Sequence, residues 1–329
     1  MSPLHKIDAN NDLPSKVDNS SSIMNELKSI VKNEKLGSGG FGTVYKGKFH
    51  GKEAAYKIVK MEMVSNRNKM ETMKKYYEEY RVQKQAANPR ITRYSAAHNV
   101  DQASKHILDP FAAFFVEETR SGDMWFIIIF PFCEMNLEDY KNKNVLDEYI
   151  IRTILKQLYI TMDYLLVSQK VRHQDLKPTN ILVEINKGKP TIKLTDFGLS
   201  GHWRNSKKRG GTPMYASPEV FGGNQSHVDR FSYGRVCLFL VLDQADFLQL
   251  SFVPIEDVSM VKRIRKSVEQ FDVLRKIQKM IRITHREPFQ NLAKCDEVKI
   301  TRQMLINAGI PSQWFLDAQD GFLRNYQFK

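Results

Sequence analysis

The sequence predicts an α+β fold of two lobes, a small β-rich amino-terminal lobe with one key helix and a larger, mainly α-helical carboxyl-terminal lobe. Apolar and polar residues alternate around a glycine-rich turn that begins near Lys35, a pattern typical of paired strands. Apolar residues at helical spacing begin at Leu146 and recur as far as about Gly309. Within this second region, residues 171–180 form a short polar stretch with apolar residues on both sides. A length of 329 residues allows one large domain of two lobes or two ordinary domains.

The composition is that of a globular protein, with 42% hydrophobic and 26% charged residues. The longest apolar runs, 124–133 and 236–242, are too short to cross a bilayer. The N-terminal sequence has no apolar secretory segment, and neither end carries a lipidation motif. The three cysteines are scattered and lack metal-ligand spacing, which favours a reducing compartment. We therefore expect a cytoplasmic or nuclear protein without a membrane span.

The net charge of +13 raises the question of nucleic-acid binding. The positive charges are spread over residues 60–93, 204–209 and 262–286. The sequence contains neither the aromatic–glycine signature of an RNA-binding sheet nor zinc-finger spacing. We expect solvated basic faces and no specific binding of nucleic acid.

A glycine-rich segment, K-L-G-S-G-G-F-G-T-V-Y-K-G, begins at residue 35. Gly37, Gly39 and Gly42 form a G-x-G-x-x-G pattern, in which backbone N–H groups can approach phosphate oxygens. Dinucleotide-binding folds share this pattern, but there a helix begins at the third glycine. Here another strand, E-A-A-Y-K-I-V, follows, which disfavours a Rossmann fold.

Lys57 stands in that next strand between apolar neighbours. Such a lysine is often only an outward-facing charge, but its position after the glycine segment resembles that of a lysine that binds nucleotide phosphates. The polar helix that follows should supply a glutamate partner, and both Glu78 and Glu79 qualify. We prefer Glu78 because the residue one turn later is the apolar Val82, whereas Glu79 is followed by Gln83. The distance to the following Asn-Pro pair fits Glu79 better.

A second pair of strands is predicted at 111–118 and 125–130, and it runs into the segment P-F-C-E-M-N-L, a candidate hinge between the lobes. Phe130 would lie beside the pocket for a nucleotide's base, and the backbone of residues 131–133 would line that pocket. Pro131 has no N–H and can offer only its carbonyl there. Residues 90–110 are longer than a usual connection and form a candidate surface insertion.

The polar stretch V-R-H-Q-D-L-K-P-T-N places Asp175, Lys177 and Asn180 at short fixed spacings. These residues supply a carboxylate, an ammonium and an amide oxygen, which suit phosphoryl transfer because that chemistry depends on positioning and charge neutralisation. The same residue types are also common in solvated turns. A hairpin then leads to a D-F-G tripeptide at Asp196, whose carboxylate follows a strand and suits magnesium. The tripeptide alone is an ordinary turn, but in this order after Asp175 and Asn180 it is specific.

A basic loop follows and closes on G-T-P-M-Y-A-S-P-E at 211–219. Asp229 then opens an apolar segment that is typical of a buried central helix. Arg286 is a candidate ion-pair partner for Glu219.

With these motifs in this order, the chain resembles a eukaryotic protein kinase from about residue 30 to residue 310. The resemblance implies a bilobal kinase domain at 29–310, with the lobes meeting near 132–133. It leaves a disordered or loosely ordered lead at 1–28 and a tail at 311–329. It also implies ATP and Mg as cofactors and a protein as the acceptor substrate.

The resemblance assigns roles to individual residues. Asp175 would act as the base that deprotonates the substrate hydroxyl, and Lys177 would neutralise charge on the transferred group. Asn180 and Asp196 would hold magnesium. The implied nucleotide-binding residues are Leu36, Gly37, Ser38, Gly39, Gly40, Phe41, Gly42, Val44, Ala55, Lys57, Glu78, Phe130, Cys133 and Leu182. The implied internal spine consists of Val82, His173 and Phe197.

Lys177 and the 211–219 segment resemble those of serine/threonine kinases, and the glycine segment is also similar to that of the tyrosine-kinase-like branch. Thr212 would then contact the catalytic loop. A pseudokinase that acts as a binding scaffold is the competing hypothesis, but such proteins usually lose one of the three residues Lys57, Asp175 and Asp196, and all are present here.

Two features depart from the family's pattern. Gln174 replaces the arginine that usually precedes the catalytic Asp and commonly binds an activation-loop phosphate. A neutral amide cannot hold a phosphate through charge. We therefore expect activity without phosphorylation of that loop. In addition, the usual substrate-docking helix is hard to locate in residues 240–272.

Overall fold

The structure is a computed structural model that describes residues 21–39, 42–61, 69–89, 100–118, 121–202, 211–212, 214–216 and 228–241. Several predictions lie outside these residues: the roles of Gly40 and Phe41, the Glu219–Arg286 pair, the helices beyond residue 241 and the tail at 311–329.

The amino-terminal lobe is built on an antiparallel sheet of five strands in the order β1-β2-β3-β5-β4. Its elements are α1 (Ser21–Ile30), β1 (Lys35–Gly39), β2 (Gly42–Phe49), β3 (Lys52–Lys60), α2 (Lys69–Ala87), α3 (Val100–Ser104), β4 (Ala112–Glu117) and β5 (Met124–Pro131). Both predicted strand pairs are confirmed within the described residues.

Two short hairpins share the same type of two-residue turn. In the β2–β3 hairpin, Phe49 pairs with Lys52, and the two loop residues His50 and Gly51 have φ values of 50° and 78°. Positive φ at both positions is the signature of a type I′ turn, whose twist matches that of the flanking strands. Lys187 and Gly188 repeat this geometry in a second hairpin, with φ values of 52° and 76°.

Strand β5 is buried on both faces, since its side chains alternate between two apolar layers. Phe126, Ile128 and Phe130 pack with α2, whereas Ile127 and Ile129 pack on the opposite face of the sheet. Helix α1 covers this second face with Leu27 and Ile30. The helix therefore crosses residue 28, where the sequence placed the end of the lead.

The carboxyl-terminal lobe is mainly helical among the described residues. Its elements are β6 (Met135–Asn136), α4 (Leu137–Lys143), α5 (Glu148–Asp163), a π-helical turn (Tyr164–Ser168), β7 (Val171–Arg172), a 3-10 turn (Pro178–Asn180), β8 (Ile181–Asn186), β9 (Lys189–Leu194), β10 (Gly201–His202) and α6 (Val228–Val241). Asn136 and Asp147 cap α4 and α5 by accepting the backbone N–H groups of Asp139 and Ile150. The bilobal fold is as predicted.

Helix α5 leads directly into the polar stretch at 171–180, and α6 packs behind it. Leu158 and Met162 of α5 share one apolar core with Val236 of α6. The predicted central helix at 228–241 is therefore buried, as its apolar sequence indicates. Among the described residues, no helix combines the length and the apolar character that crossing a membrane requires.

The segment at 100–110 is packed against the core, which corrects its assignment as part of a surface insertion. Val100, Ala103 and Ile107 are buried, and Ile107 forms a parallel bridge with Leu194 at the end of β9. Short apolar segments of this kind carry too little periodicity to be recognised as core in the sequence. Residues 90–99 lie outside the described part of the chain.

Candidate active site

Lys57 links three separate parts of the chain. It projects from β3, and its Nζ lies 2.6 Å from Glu79 Oε1 of α2 and 2.8 Å from Asp196 Oδ1. Burial alone would lower the pKa of Lys57, but the charges and hydrogen bonds of Glu79 and Asp196 outweigh it, so the pKa lies above its ordinary value. The ammonium is therefore charged at every physiological pH.

The preference for Glu78 as the partner of Lys57 was wrong. Glu78 instead forms a two-pronged ion pair with Arg81, and its side chain is 45% exposed, against 10% for Glu79. The residue one turn after Glu79, Gln83, is completely buried despite its polar side chain. Val82 is buried as well, so an apolar neighbour does not distinguish the two glutamates. The spacing to the following Asn-Pro pair was the better signal.

Asp175 lies at the centre of a buried polar network. Its Oδ1 accepts hydrogen bonds from Thr212 N at 2.9 Å and Thr212 Oγ1 at 3.0 Å. Its Oδ2 lies 2.8 Å from Lys177 Nζ and 3.2 Å from Asn180 Nδ2. Lys177 Nζ also donates to Thr212 Oγ1 at 2.9 Å. The structure thus brings together the three polar residues of the predicted loop and places Thr212 in the predicted contact.

The backbone of the loop is anchored from behind by α6. Both carboxylate oxygens of Asp229 accept backbone N–H groups, from His173 and Gln174, each at 2.8 Å. Gln174 has a φ of 68°, a left-handed conformation that is unfavourable for a non-glycine residue. Asp229 was expected only to open a buried helix, and nothing in its sequence position indicates this anchoring role.

Thr195 joins the catalytic loop to the D-F-G segment. Its N–H donates to the carbonyl of Asn180 at 3.0 Å, and its carbonyl lies 2.9 Å from His173 Nε2. The His173 ring also packs edge-on against Phe197, with centroids 4.8 Å apart, as the predicted spine requires. Asn180 and Asp196 are therefore held on adjacent segments.

The donors at Asn180 and Asp196 suit a magnesium ion. Burial would raise the pKa of Asp196, but the charge and hydrogen bond of Lys57 outweigh it, and the pKa lies below its ordinary value. Asn180 uses its Nδ2 toward Asp175, which leaves its amide oxygen as an acceptor. Magnesium usually binds through one or two carboxylates and substrate phosphates rather than a full protein cage. No cluster of three or more His, Cys, Asp or Glu suited to a metal occurs in the described residues.

The residues predicted to line a nucleobase pocket lie close together where the lobes meet. Ala55 pairs across the sheet with Phe130, and Ala55, Cys133 and Leu182 pack against the apolar cluster that contains Phe130. Val44 pairs with Lys57 on the neighbouring strand. Burial is the main reason that the pKa of the Cys133 thiol is raised to about 12, and Glu184 adds to the effect.

The glycine segment forms the β1–β2 edge of the site. Leu36, Gly37, Ser38 and Gly39 lie in β1, which pairs with β2. Gly42 has a φ of 112°, and a Cβ there would approach the Ile58 carbonyl oxygen to 2.6 Å. Only glycine fits this position.

Comparisons with known proteins agree with this geometry. The family model for the protein kinase domain matches residues 30–303. The dual specificity protein kinase shkD of Dictyostelium discoideum is 27% identical over 66% of this chain and 27% of its own length. The probable serine/threonine-protein kinase fhkB of the same organism is 31% identical, over 62% of this chain and 16% of its own length. The serine/threonine-protein kinase ULK3 of Xenopus laevis is 26% identical, over 76% and 51%.

This chain spans about half or less of the length of these relatives. The matched region nevertheless includes both lobes and every site residue described above. The family predicted from the motifs is confirmed: the chain belongs to the protein kinase family.

Proposed function

We propose that this chain is an active serine/threonine protein kinase that transfers the γ-phosphate of ATP to a hydroxyl group of a protein. The observation that carries the proposal is the buried network in which Asp175 Oδ2 lies 2.8 Å from Lys177 Nζ while Thr212 holds Asp175 Oδ1. A carboxylate held in this way can orient a hydroxyl group and accept its proton.

The other polar residues predicted for the site each have a part in this reaction. Lys57, held by Glu79, presents its charge to the phosphates, and Lys177 offsets charge on the group in transfer. Asn180 and Asp196 supply oxygen ligands for magnesium. Bound ATP would supply the phosphoryl group, and magnesium held by Asn180 and Asp196 would neutralise charge on the phosphates. The acceptor oxygen forms the new bond to phosphorus, the bond to ADP breaks, and the hydroxyl proton passes to Asp175.

The choice of serine and threonine as acceptors is supported by Lys177 and by Thr212 of the 211–219 segment, because both resemble the corresponding parts of serine/threonine kinases. Their direct contact at 2.9 Å forms one side of the site around Asp175. Two of the relatives, fhkB and ULK3, are named as serine/threonine-protein kinases, and shkD is named as a dual specificity protein kinase. We infer that transfer to serine and threonine dominates in this chain.

The test is an assay of the purified chain with labelled ATP, magnesium and a degenerate peptide library that contains Ser, Thr and Tyr acceptors. We expect label on Ser and Thr peptides, and a loss of at least about a thousandfold in Asp175→Asn. Asp101→Asn, which alters a carboxylate that is 68% exposed on α3, serves as the matched control and should retain activity.

If the unmodified chain transferred phosphate no faster than the Asp175→Asn variant, the proposal would be overturned. If calorimetry then showed that Mg–ATP still binds, the chain would instead be a nucleotide-binding scaffold.

A further inference from the structure

Gln83 is a polar residue in a position that an apolar side chain could fill. It lies on α2 one turn after Glu79, and its side chain is fully buried. Its Nε2 donates to the carbonyl of Leu108 at 2.7 Å and lies 3.4 Å from Thr195 Oγ1. The amide therefore reaches from α2 to two other segments.

The stability of the fold does not account for this amide. Among the described residues, Gln83 Oε1 has no hydrogen-bond partner although it is buried. An unsatisfied buried acceptor is destabilising relative to an apolar group of the same shape. A leucine or methionine would fill the same space without that cost, so the reason for glutamine lies in what its Nε2 holds.

Both contacts of Gln83 lead toward Asp196. Leu108 N–H donates to the carbonyl of Leu194 at 2.9 Å, and Leu194 is followed directly by Thr195 and Asp196. The second contact is Thr195 itself, at the longer distance. Gln83 thus connects the helix that carries Glu79 to the segment that carries Asp196, and both carboxylates bind the ammonium of Lys57.

Two other side chains fasten the same end of α2. Lys84 Nζ lies 2.7 Å from Asp109 Oδ1 and donates to the carbonyl of Pro110 at 2.9 Å, and Asn88 Nδ2 donates to Asp109 Oδ1 at 2.8 Å. Asn88 and Asp109 are exposed enough for water to compete with these bonds. Gln83 makes its bonds in the interior, where they are stronger.

We propose that Gln83 is a positioning residue: its amide fastens α2 to Leu108 and Thr195, and thereby keeps Glu79 and Asp196 together on Lys57. The effect on catalysis rests on the proposed function, whereas the effect on α2 does not.

Hydrogen exchange of the full chain tests the positioning directly. Gln83→Met keeps the length and burial of the side chain and removes the amide. We expect amides near the Glu79 turn of α2 to exchange at least about threefold faster, because the ties from α2 to Leu108 and Thr195 are lost and this turn opens locally more often. Gln85→Met makes the same change on the exposed face of α2 and should leave these rates unchanged. Equal rates in Gln83→Met and the unmodified chain, or equal acceleration in both variants, would overturn the proposal.

Steady-state kinetics separates positioning from a purely structural role. In Gln83→Met we expect kcat to fall about threefold to tenfold, the size of one net hydrogen bond, while KM for ATP changes less than about twofold because the base pocket is untouched. A structural role would instead lower the melting temperature and leave kcat intact below it. An unchanged kcat would overturn the catalytic part. If the unmodified chain transferred no phosphate, the proposed function would fail while the exchange result still stood.

Discussion

At the scale of single residues, the ammonium of Lys57 holds the site together because it is shared by two carboxylates that lie far apart in the sequence. Its side chain is 8% exposed, and Glu79 is 10% exposed, so water screens the pair poorly. Removing one partner of such a pair leaves an uncompensated buried charge and typically costs about 3–5 kcal/mol. Asp196 remains on Lys57 in that case and limits the loss.

Replacing the two neighbouring glutamates distinguishes their roles. Glu79→Gln should lower kcat/KM at least about tenfold because Lys57, the proposed phosphate-binding residue, loses one charged partner. Glu78→Gln removes only a half-exposed pair with Arg81 and should change kcat/KM less than about twofold. The measurement is the initial rate of peptide phosphorylation at several ATP concentrations. The opposite order of effects would contradict the pairing.

The raised pKa of Cys133 predicts a thiol of low reactivity in the proposed nucleobase pocket. With a pKa of about 12, the thiol is neutral at pH 8, and the reactive thiolate becomes abundant only as the pH approaches that value. Alkylation by iodoacetamide at pH 8, followed by peptide mass spectrometry, should be at least about tenfold slower for Cys133 than for the same residue in urea-unfolded chain. Equal rates in the two states would show that the pocket does not suppress ionisation.

At the scale of elements, α1 is part of the amino-terminal lobe although it belongs to the polar lead. Leu27 and Ile30 are 5% and 6% exposed, and they share a cluster with Phe114 and Ile127 of the sheet. Residues 1–28 are rich in Ser, Asn and Asp and have few aromatic residues, which is why the sequence predicted a loose lead, whereas the structure buries Leu27 and Ile30. Burial of those positions against a preformed sheet outweighs weak helix propensity.

Truncation of Leu27 measures the contribution of α1. Leu27→Ala should lower the free energy of unfolding by about 2–4 kcal/mol, from lost burial and the cavity left behind. Ser29→Ala, on the exposed side of the same helix, should change it by less than about 0.5 kcal/mol. Urea denaturation followed by circular dichroism gives both values. A loss in Leu27→Ala no larger than in the control would place α1 outside the cooperative unit.

The elements also show what sequence reasoning could and could not reach. Strands β1–β5 and the loop at 171–180 were predictable because period-2 patterns, glycine turns and fixed spacings are local signals. The choice between Glu78 and Glu79 was wrong because it relied on an apolar residue one turn later, whereas Gln83 is buried through a hydrogen bond to Leu108 far along the chain. The spacing to the Asn-Pro pair was the sequence signal that favoured Glu79. The packing of α3 depends likewise on distant partners, in α5 and the π-helical turn.

At the scale of the whole molecule, the lobes are joined by more than the hinge. Leu108 N–H donates to the carbonyl of Leu194, and Leu194 N–H donates to the carbonyl of His106. The segment that leads into β4 is therefore bonded to the strand that precedes Asp196. Lys57 adds a second tie through Asp196 itself. These contacts tie the two lobes together beside the site.

The proposed activity is expected to be independent of activation-loop phosphorylation. Gln174 offers no charge to a phosphate, and Ser200 is buried with its hydroxyl donated to the Phe197 carbonyl at 2.6 Å. Phosphatase treatment should change kcat by less than about twofold, as should Ser206→Ala. Thr212→Ala should lower kcat for another reason, since it removes a hydrogen bond to Asp175.

Mass spectrometry must confirm that the treated protein carries no phosphate, and a mock-treated sample is the control. A large fall in kcat on dephosphorylation, of about a hundredfold, would show that a loop phosphate is needed despite Gln174.

The anchoring of His173 and Gln174 by Asp229 has a consequence for synthesis on the ribosome. The two backbone groups lie 56 and 55 residues before their shared acceptor. A nascent polypeptide can therefore complete its sheet and expose the Asp175 segment well before the anchoring carboxylate is translated. Until α6 emerges and docks, that segment lacks its backbone support, so the order of translation itself delays enzymatic competence.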